Sequence, residues 1–117
     1  MKPSKYSKNE ANKIDLGTKI ILKYPTPTKS MDVGKMIVKG RYPQEEGVFY
    51  NNRECSFVIY VISGKGTVYA GKEVFAVVSE DVVFVPTGNS YAVDGDFEYI
   101  TFDTPAYYEK QSTKVQK

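Results

Sequence analysis

Short runs of β-branched and aromatic residues, cut at close intervals by Gly, Pro, Asn and Asp, fill the middle of the chain. Such runs predict strands near residues 19–24, 35–39, 48–50, 56–62, 67–70, 73–77, 81–85, 90–93 and 97–103. The breakers fall between them. Pro25 and Pro27 follow the first run, and Gly40 to Gly47 encloses Pro43. Gly64 and Gly66 flank an expected turn, Gly71-Lys72 an expected tight hairpin, and Pro86 to Gly88 and Asp94-Gly95-Asp96 two further turns. Only residues 7–13 and 106–112 suggest helix, one weak turn each. Strands this many and this short favour an antiparallel sandwich or small barrel over a parallel α/β sheet.

One run is apolar on both faces. Phe57, Ile59 and Val61 alternate with Val58, Tyr60 and Ile62. A strand of that kind is covered on both sides, by the barrel interior and by another layer or subunit. A second copy of the chain is the expected cover, which makes a homodimer the expected state.

Composition narrows the picture. At 117 residues the chain suits one domain, here 14–108, between polar tails at 1–13 and 109–117. The net charge of +2 comes from lysines concentrated in those tails, leaving the interior close to neutral, so no nucleic-acid partner is expected. Residues 1–13 lack the apolar core of a secretion signal, and no apolar run approaches the ~20 residues that span a bilayer. With a single cysteine, Cys55, no internal disulfide can form. No membrane partner and a cytoplasmic location are the expectations.

The segment from Asn51 to Asp103 resembles the cupin domain, a double-stranded β-helix or jelly-roll barrel. The clearest piece is Glu80-Asp-Val-Val-Phe-Val-Pro-Thr-Gly-Asn-Ser-Tyr91, which is similar to the second cupin motif, G-x5-P-x-G-x2-H-x3-N. Pro86 and Gly88 match it. Glu80 stands for the first glycine, Tyr91 for the histidine and Gly95 for the asparagine. The run Phe57-Val-Ile-Tyr-Val-Ile-Ser-Gly64 resembles the end of the first motif, E-x6-G, with Phe57 in place of the glutamate. The His-x-His pair of that motif falls on Asn51 and Arg53, or in the alternative register on Tyr50 and Asn52. The matching marks are glycines and prolines, which report fold more than chemistry.

The resemblance implies a metal site built from imidazole and carboxylate, and the residues refuse it. The chain contains no histidine at all. Arg53 is a permanent cation and Phe57 has no lone pair, so neither metal nor cofactor is expected for the transition metals such sites hold; an all-carboxylate calcium site is left open. The same lack removes Ser-His-Asp and Cys-His catalysis and the histidine base that the resemblance implies for metal-free sugar epimerases.

Strand alternation then places Asn51, Arg53, Cys55 and Phe57 on one side, with Tyr91 pointing inward from the facing segment. The ligand-binding set is expected to be Asn51, Arg53, Phe57 and Tyr91. A guanidinium, an amide, a phenol and apolar walls suit a small polar or anionic molecule such as a sugar, a sugar acid or a carboxylate. Two alternatives stand beside binding. One is a metal-independent isomerase or lyase with Tyr91 as acid or base and Arg53 gripping an acid group. The other is a degenerate barrel, filled by Phe57, Tyr91 and neighbours, that serves as a dimerisation scaffold.

Overall fold

A computed structural model covers Met1–Lys117. It holds nine strands: β1 (Asn12–Asp15), β2 (Lys19–Lys23), β3 (Asp32–Lys39), β4 (Val48–Asn52), β5 (Ser56–Ala70), β6 (Glu73–Val78), β7 (Val82–Val85), β8 (Ser90–Thr104) and β9 (Ser112–Gln116). All pairings are antiparallel, and the sheet curls into a barrel, the all-β jelly roll expected from the strand pattern. The two suggested helical turns are short 3-10 turns at Lys8–Glu10 and Glu109–Gln111. No helix is long and apolar enough to cross a membrane.

β8 is the common partner. One of its edges carries β3 from Asp96 to Asp103 and β4 at Ser90 and Tyr91; the other carries β5 along nearly its whole length. β5 passes the sheet on to β7 at residues 57–60 and to β6 at residues 65–70. β2 and β1 extend the sheet beyond β3. The inward residues of these strands form the core, among them Val38, Phe57, Ile59, Val61, Val68, Val85, Phe97 and Tyr99. Burying a side chain the size of Ile59 contributes roughly 2–3 kcal/mol.

Two expected turns are strand interior instead. Residues 63–66 lie within β5 and residues 94–96 within β8, and Gly66 pairs with Gly95 across them. A register shift between Val61 and Ser63 bends β5 just before this crossing. The glycines serve close approach. A Cβ on Gly66 would stand 2.5 Å from Phe97 Cε1 and 2.7 Å from the Asp94 carbonyl, and a Cβ on Gly95 would stand 2.5 Å from the Gly66 Cα.

The expected tails also need correction, because each contributes an edge strand: Asn12–Asp15 pairs with β2, and Ser112–Gln116 pairs with β4. Both are mostly polar and largely exposed, so backbone pairing carries much of their attachment, while Ile14, Ser112 and Lys114 reach the cavity wall. The C-terminal strand is further pinned by Gln111, which is fully buried. Its amide donates to Asn52 Oδ1 at 3.1 Å and accepts from the Glu54 and Cys55 amides at 3.3 and 3.2 Å.

Close approach and backbone conformation can be separated by two substitutions. Gly66→Ala must displace Phe97 or the β8 backbone and is expected to cost about 2–3 kcal/mol, whereas Gly88→Ala, at φ +86 with nothing within 4 Å, is expected to cost about 1 kcal/mol. Urea denaturation of both variants checks the order. Equal losses would remove the close-approach argument.

Candidate functional site

Alternation along the strands divides the barrel interior lengthwise. In β8 the inward positions are Phe97, Tyr99, Thr101 and Asp103, running from apolar to polar; in β3 they are Val38, Met36, Gly34 and Asp32; in β2 they are Lys19, Ile21 and Lys23. The apolar ends close the core. The polar ends line a cavity of about 610 Å3. Its other walls come from Phe57 and Ile59 on β5, Tyr50 on β4, Tyr91 on β8, Tyr42, and a segment of Tyr107, Tyr108 and Glu109 that leads from β8 to β9. A volume of this size suits a small ligand.

The walls are mostly phenol rings. Tyr42 and Tyr50 stack at 5.7 Å between centroids, and the Tyr42 hydroxyl donates to the Tyr50 oxygen at 3.3 Å. Phe57 meets Tyr91 edge to face at 4.8 Å. Burial pushes the Tyr91, Tyr99 and Tyr42 hydroxyls up from the ordinary tyrosine value, with the Tyr50 hydroxyl adding to the shift at Tyr42. These groups are therefore neutral at physiological pH and act as hydrogen-bond donors, not as bases.

Asp32, Asp103 and Lys23 sit together at one end of the cavity. Asp32 and Asp103 are direct cross-strand partners in β3 and β8, both facing inward. Like charges placed opposite one another in a sheet repel. The Asp103 carboxyl answers by holding its proton. Burial first, then its hydrogen bond to Asp32 and the Asp32 charge, raise it to about 8, against the pull of Lys23 and Lys19. Asp32 accepts from the Tyr107 amide at 2.8 Å and lies 3.4 Å from the Lys23 ammonium, which also donates to the Tyr107 carbonyl at 3.0 Å. The segment over the cavity is thus tied to the carboxyl pair. Thr101 Oγ1 is buried with no partner in the protein. Lys19 is 7% exposed, and burial lowers its ammonium to about 8 although Asp103 opposes the shift.

The sequence-predicted residues separate here. Phe57 and Tyr91 line the cavity. Arg53 and Asn51 do not. Asn51 donates to the Gly88 carbonyl at 2.9 Å and to Ser90 Oγ at 3.4 Å, outside the barrel interior. Arg53 is exposed, just past the end of β4, where alternation no longer applies. The inward positions of β4 are Val48, Tyr50 and Asn52, so the alternative register has the correct phase, with Tyr50 on the cavity and Asn52 buried against Gln111. Lys19, Lys23, Asp32, Thr101 and Asp103 were not anticipated. Their signal was phase, since Thr101 and Asp103 continue the inward series of Phe97 and Tyr99.

No three His, Cys, Asp or Glu side chains converge on a point. Asp32 and Asp103 offer two carboxyls where a hard cation takes six or more oxygens, and Lys23 already occupies one flank. The donor set fits proton transfer better than metal binding.

The chain matches solved structures over most of its length. Streptomyces Pac13, a nucleoside dehydratase, is 22% identical across 98% of this chain and 92% of its own, with a TM-score of 0.88. A variant of that protein with uridine gives 0.88 over 99% and 93%, also at 22% identity. An RmlC-like cupin from Shewanella frigidimarina is 17% identical over 86% and 89%, with a TM-score of 0.70. No family model matches the chain, and no curated relative does. At these identities the likeness establishes the fold.

The raised Asp103 value sets a pH dependence. Between about pH 4 and pH 8 the folded chain binds a proton there that the unfolded chain releases, so this group's contribution to stability falls as pH rises through that window. Melting temperatures of the wild type and Asp103→Asn, compared from pH 5 to pH 8, are expected to diverge in favour of the variant as pH rises. A constant difference would show that Asp103 ionises normally.

Proposed function

We propose that this chain, a cupin by fold, binds a small hydroxylated ring compound of nucleoside or sugar type in its barrel and eliminates water from it by acid–base chemistry carried on its own side chains. The observation that carries the reading is the inward-facing Asp32–Asp103 pair at the polar end of a cavity walled by tyrosine rings. Two carboxyls that share a proton provide a base and an acid at one pH. Elimination of water needs both: a base to take a proton from carbon and an acid to protonate the departing hydroxyl.

Each wall has a task in this reading. The rings of Tyr50, Tyr91 and Phe57 offer faces on which a base or sugar ring stacks. The neutral Tyr91 phenol and Thr101 Oγ1 meet ligand hydroxyls, and the latter thereby gains the partner it lacks in the protein. Lys23, tied to Asp32, biases the shared proton toward Asp103. Arg53, exposed and outside the cavity lining, has no part, which separates this reading from a lyase built on Tyr91 and Arg53. The similarity to a nucleoside dehydratase, and to its variant with uridine, supports the ligand class. An open interior also supports binding over a filled scaffold.

A second copy of the chain is proposed as the cover for the outer face. In register across β7, β5 and β8 lie Phe84, Val58 and Phe102, then Val82, Tyr60 and Ile100, and none of these positions is charged. Phe84 and Phe102 are more than half exposed. An uncharged apolar patch is self-complementary about a two-fold axis. Light scattering is expected to give twice the chain mass for the wild type and the chain mass for Phe84→Lys; a monomeric wild type at high concentration removes the dimer.

Binding and turnover are tested separately. Uridine at ten times its Kd is expected to add about 1.4 kcal/mol of stability, a rise of roughly 3–5 °C in Tm. Tyr91→Phe is expected to reduce the shift and Arg53→Ala to leave it intact. Loss of one water from a bound nucleoside or sugar, followed by mass spectrometry, is expected to fall at least about 100-fold in Asp103→Asn. If neither nucleosides nor sugars move Tm, the reading fails.

A further inference from the structure

One reactive group of the cavity takes no part in that chemistry. Lys19 begins β2, and its inward phase carries a lysine amine into the barrel. It is the only buried lysine of the chain. Lys23, two residues on, is committed to Asp32 and the Tyr107 carbonyl. Lys19 has neither kind of commitment: the ion pairs of the molecule are Lys23–Asp32 and Lys35–Glu98, and no hydrogen bond holds its Nζ. The nitrogen stands over two phenol rings, 4.8 Å from the Tyr42 centroid and 5.9 Å from that of Tyr99. A strand-borne side chain held between rings, with its nitrogen facing an open cavity, is positioned but not satisfied.

A cation buried for structure alone finds a carboxylate partner or leaves for solvent. An amine that is to react must be reachable, fixed and partly neutral, since the free lone pair is the nucleophile. Burial supplies the last condition by lowering the ammonium to about 8. Asp103 and Asp32 line the same cavity toward its other end.

We propose that Lys19 is a carbonyl-capturing nucleophile, and that the molecule taken by the barrel carries an aldehyde or ketone which Lys19 binds as an iminium. This rests on the ligand site proposed above and narrows its substrate class. The amine lone pair forms a C–N bond to the carbonyl carbon while the C=O π pair moves to oxygen, and the proton that the nitrogen then gives up passes to that oxygen, leaving a neutral carbinolamine. The carbinolamine then expels that oxygen as water, with solvent in the open cavity giving the proton that the leaving hydroxyl needs, and the nitrogen lone pair closes the C=N bond. The positive iminium acidifies the adjacent C–H, the bond that the carboxyl pair must break if a β-hydroxyl is to leave. Hydrolysis by the same water returns the free amine and the carbonyl product, with no external oxidant or reductant.

The test is reductive trapping on the whole protein at pH 7 with glyceraldehyde and sodium cyanoborohydride, which delivers hydride to the iminium carbon and fixes a secondary amine. Peptide mapping is expected to find one adduct per chain at Lys19, formed at least roughly tenfold faster than at any exposed lysine. Lys19→Arg keeps the cation over the rings and is expected to abolish that adduct. Adducts distributed over exposed lysines with no excess at Lys19 overturn the proposal, and the wild-type map decides this even if the variant does not fold. Uridine binding, followed by melting temperature on the same preparation, keeps the two readings apart. A uridine shift without trapping leaves the binding site and removes the nucleophile; trapping at Lys19 without a uridine shift supports the nucleophile and removes the nucleoside class.

Discussion

Both edges of β8 are hydrogen-bonded, so its side chains have only two directions to take, into the barrel or out of it. That constraint organises the molecule. Phe97 and Tyr99 are driven inward and join Val38, Val61 and Val68 in the core. The same phase, continued along the strand, brings Thr101 and Asp103 inward opposite Ile59 and Phe57 of β5, on the wall of the cavity. Gly34, opposite Thr101 on β3, has no side chain to fill the space. The cavity is therefore the polar continuation of the core, held by the same ladders.

The opposed carboxyls show what that rigidity maintains. Asp32 and Asp103 face each other because β3 and β8 are in register, and a one-residue slip would turn every buried residue of β3 outward. Core packing thus fixes a like-charge pair that local energetics disfavour. The strain is relieved by retaining a proton on Asp103 and by fastening Asp32 to Lys23 and the Tyr107 amide. Segment 105–111 is held over the cavity at one end by these contacts and at the other by the buried Gln111 amide. Stability and chemistry compete at the pair, which is the pattern of a functional site more than of a structural ion pair.

The fold was largely legible because β-branched and aromatic runs give strands and glycine-proline breaks give their ends. It failed where those marks are ambiguous. Gly64 and Gly66, like Asp94 to Asp96, read as turns, yet glycine also permits two strands to cross closely, and sequence does not distinguish the two uses. The edge strand at Ser112–Gln116 and the first half of that at Asn12–Asp15 read as tail because most of their residues are polar. Phe57 and Tyr91, expected from their motif positions, line the cavity, and Arg53 does not, because alternation stops at the last residue of β4. Lys19, Asp32 and Asp103 were passed over because charged residues at strand ends are usually solvated. Lys19, Ile21 and Lys23 share a phase, but which phase faces inward depends on pairing with β3.

The complete lack of histidine acquires a sharper meaning against this geometry. The positions that resemble a metal-binding motif are occupied by Tyr50, Asn52, Phe57 and Tyr91, and they now form ring walls and a buried amide contact. The charged groups lie instead on β2, β3 and the end of β8, on strands that the motif does not include. A barrel interior is addressed by strand phase from every side, so loss of one set of ligands does not empty it of chemistry. What changes is the kind of chemistry. A metal polarises oxygen through a fixed positive charge, while an unpaired amine and a separate pair of carboxyls lining one cavity offer a lone pair for carbon and groups that hold a proton.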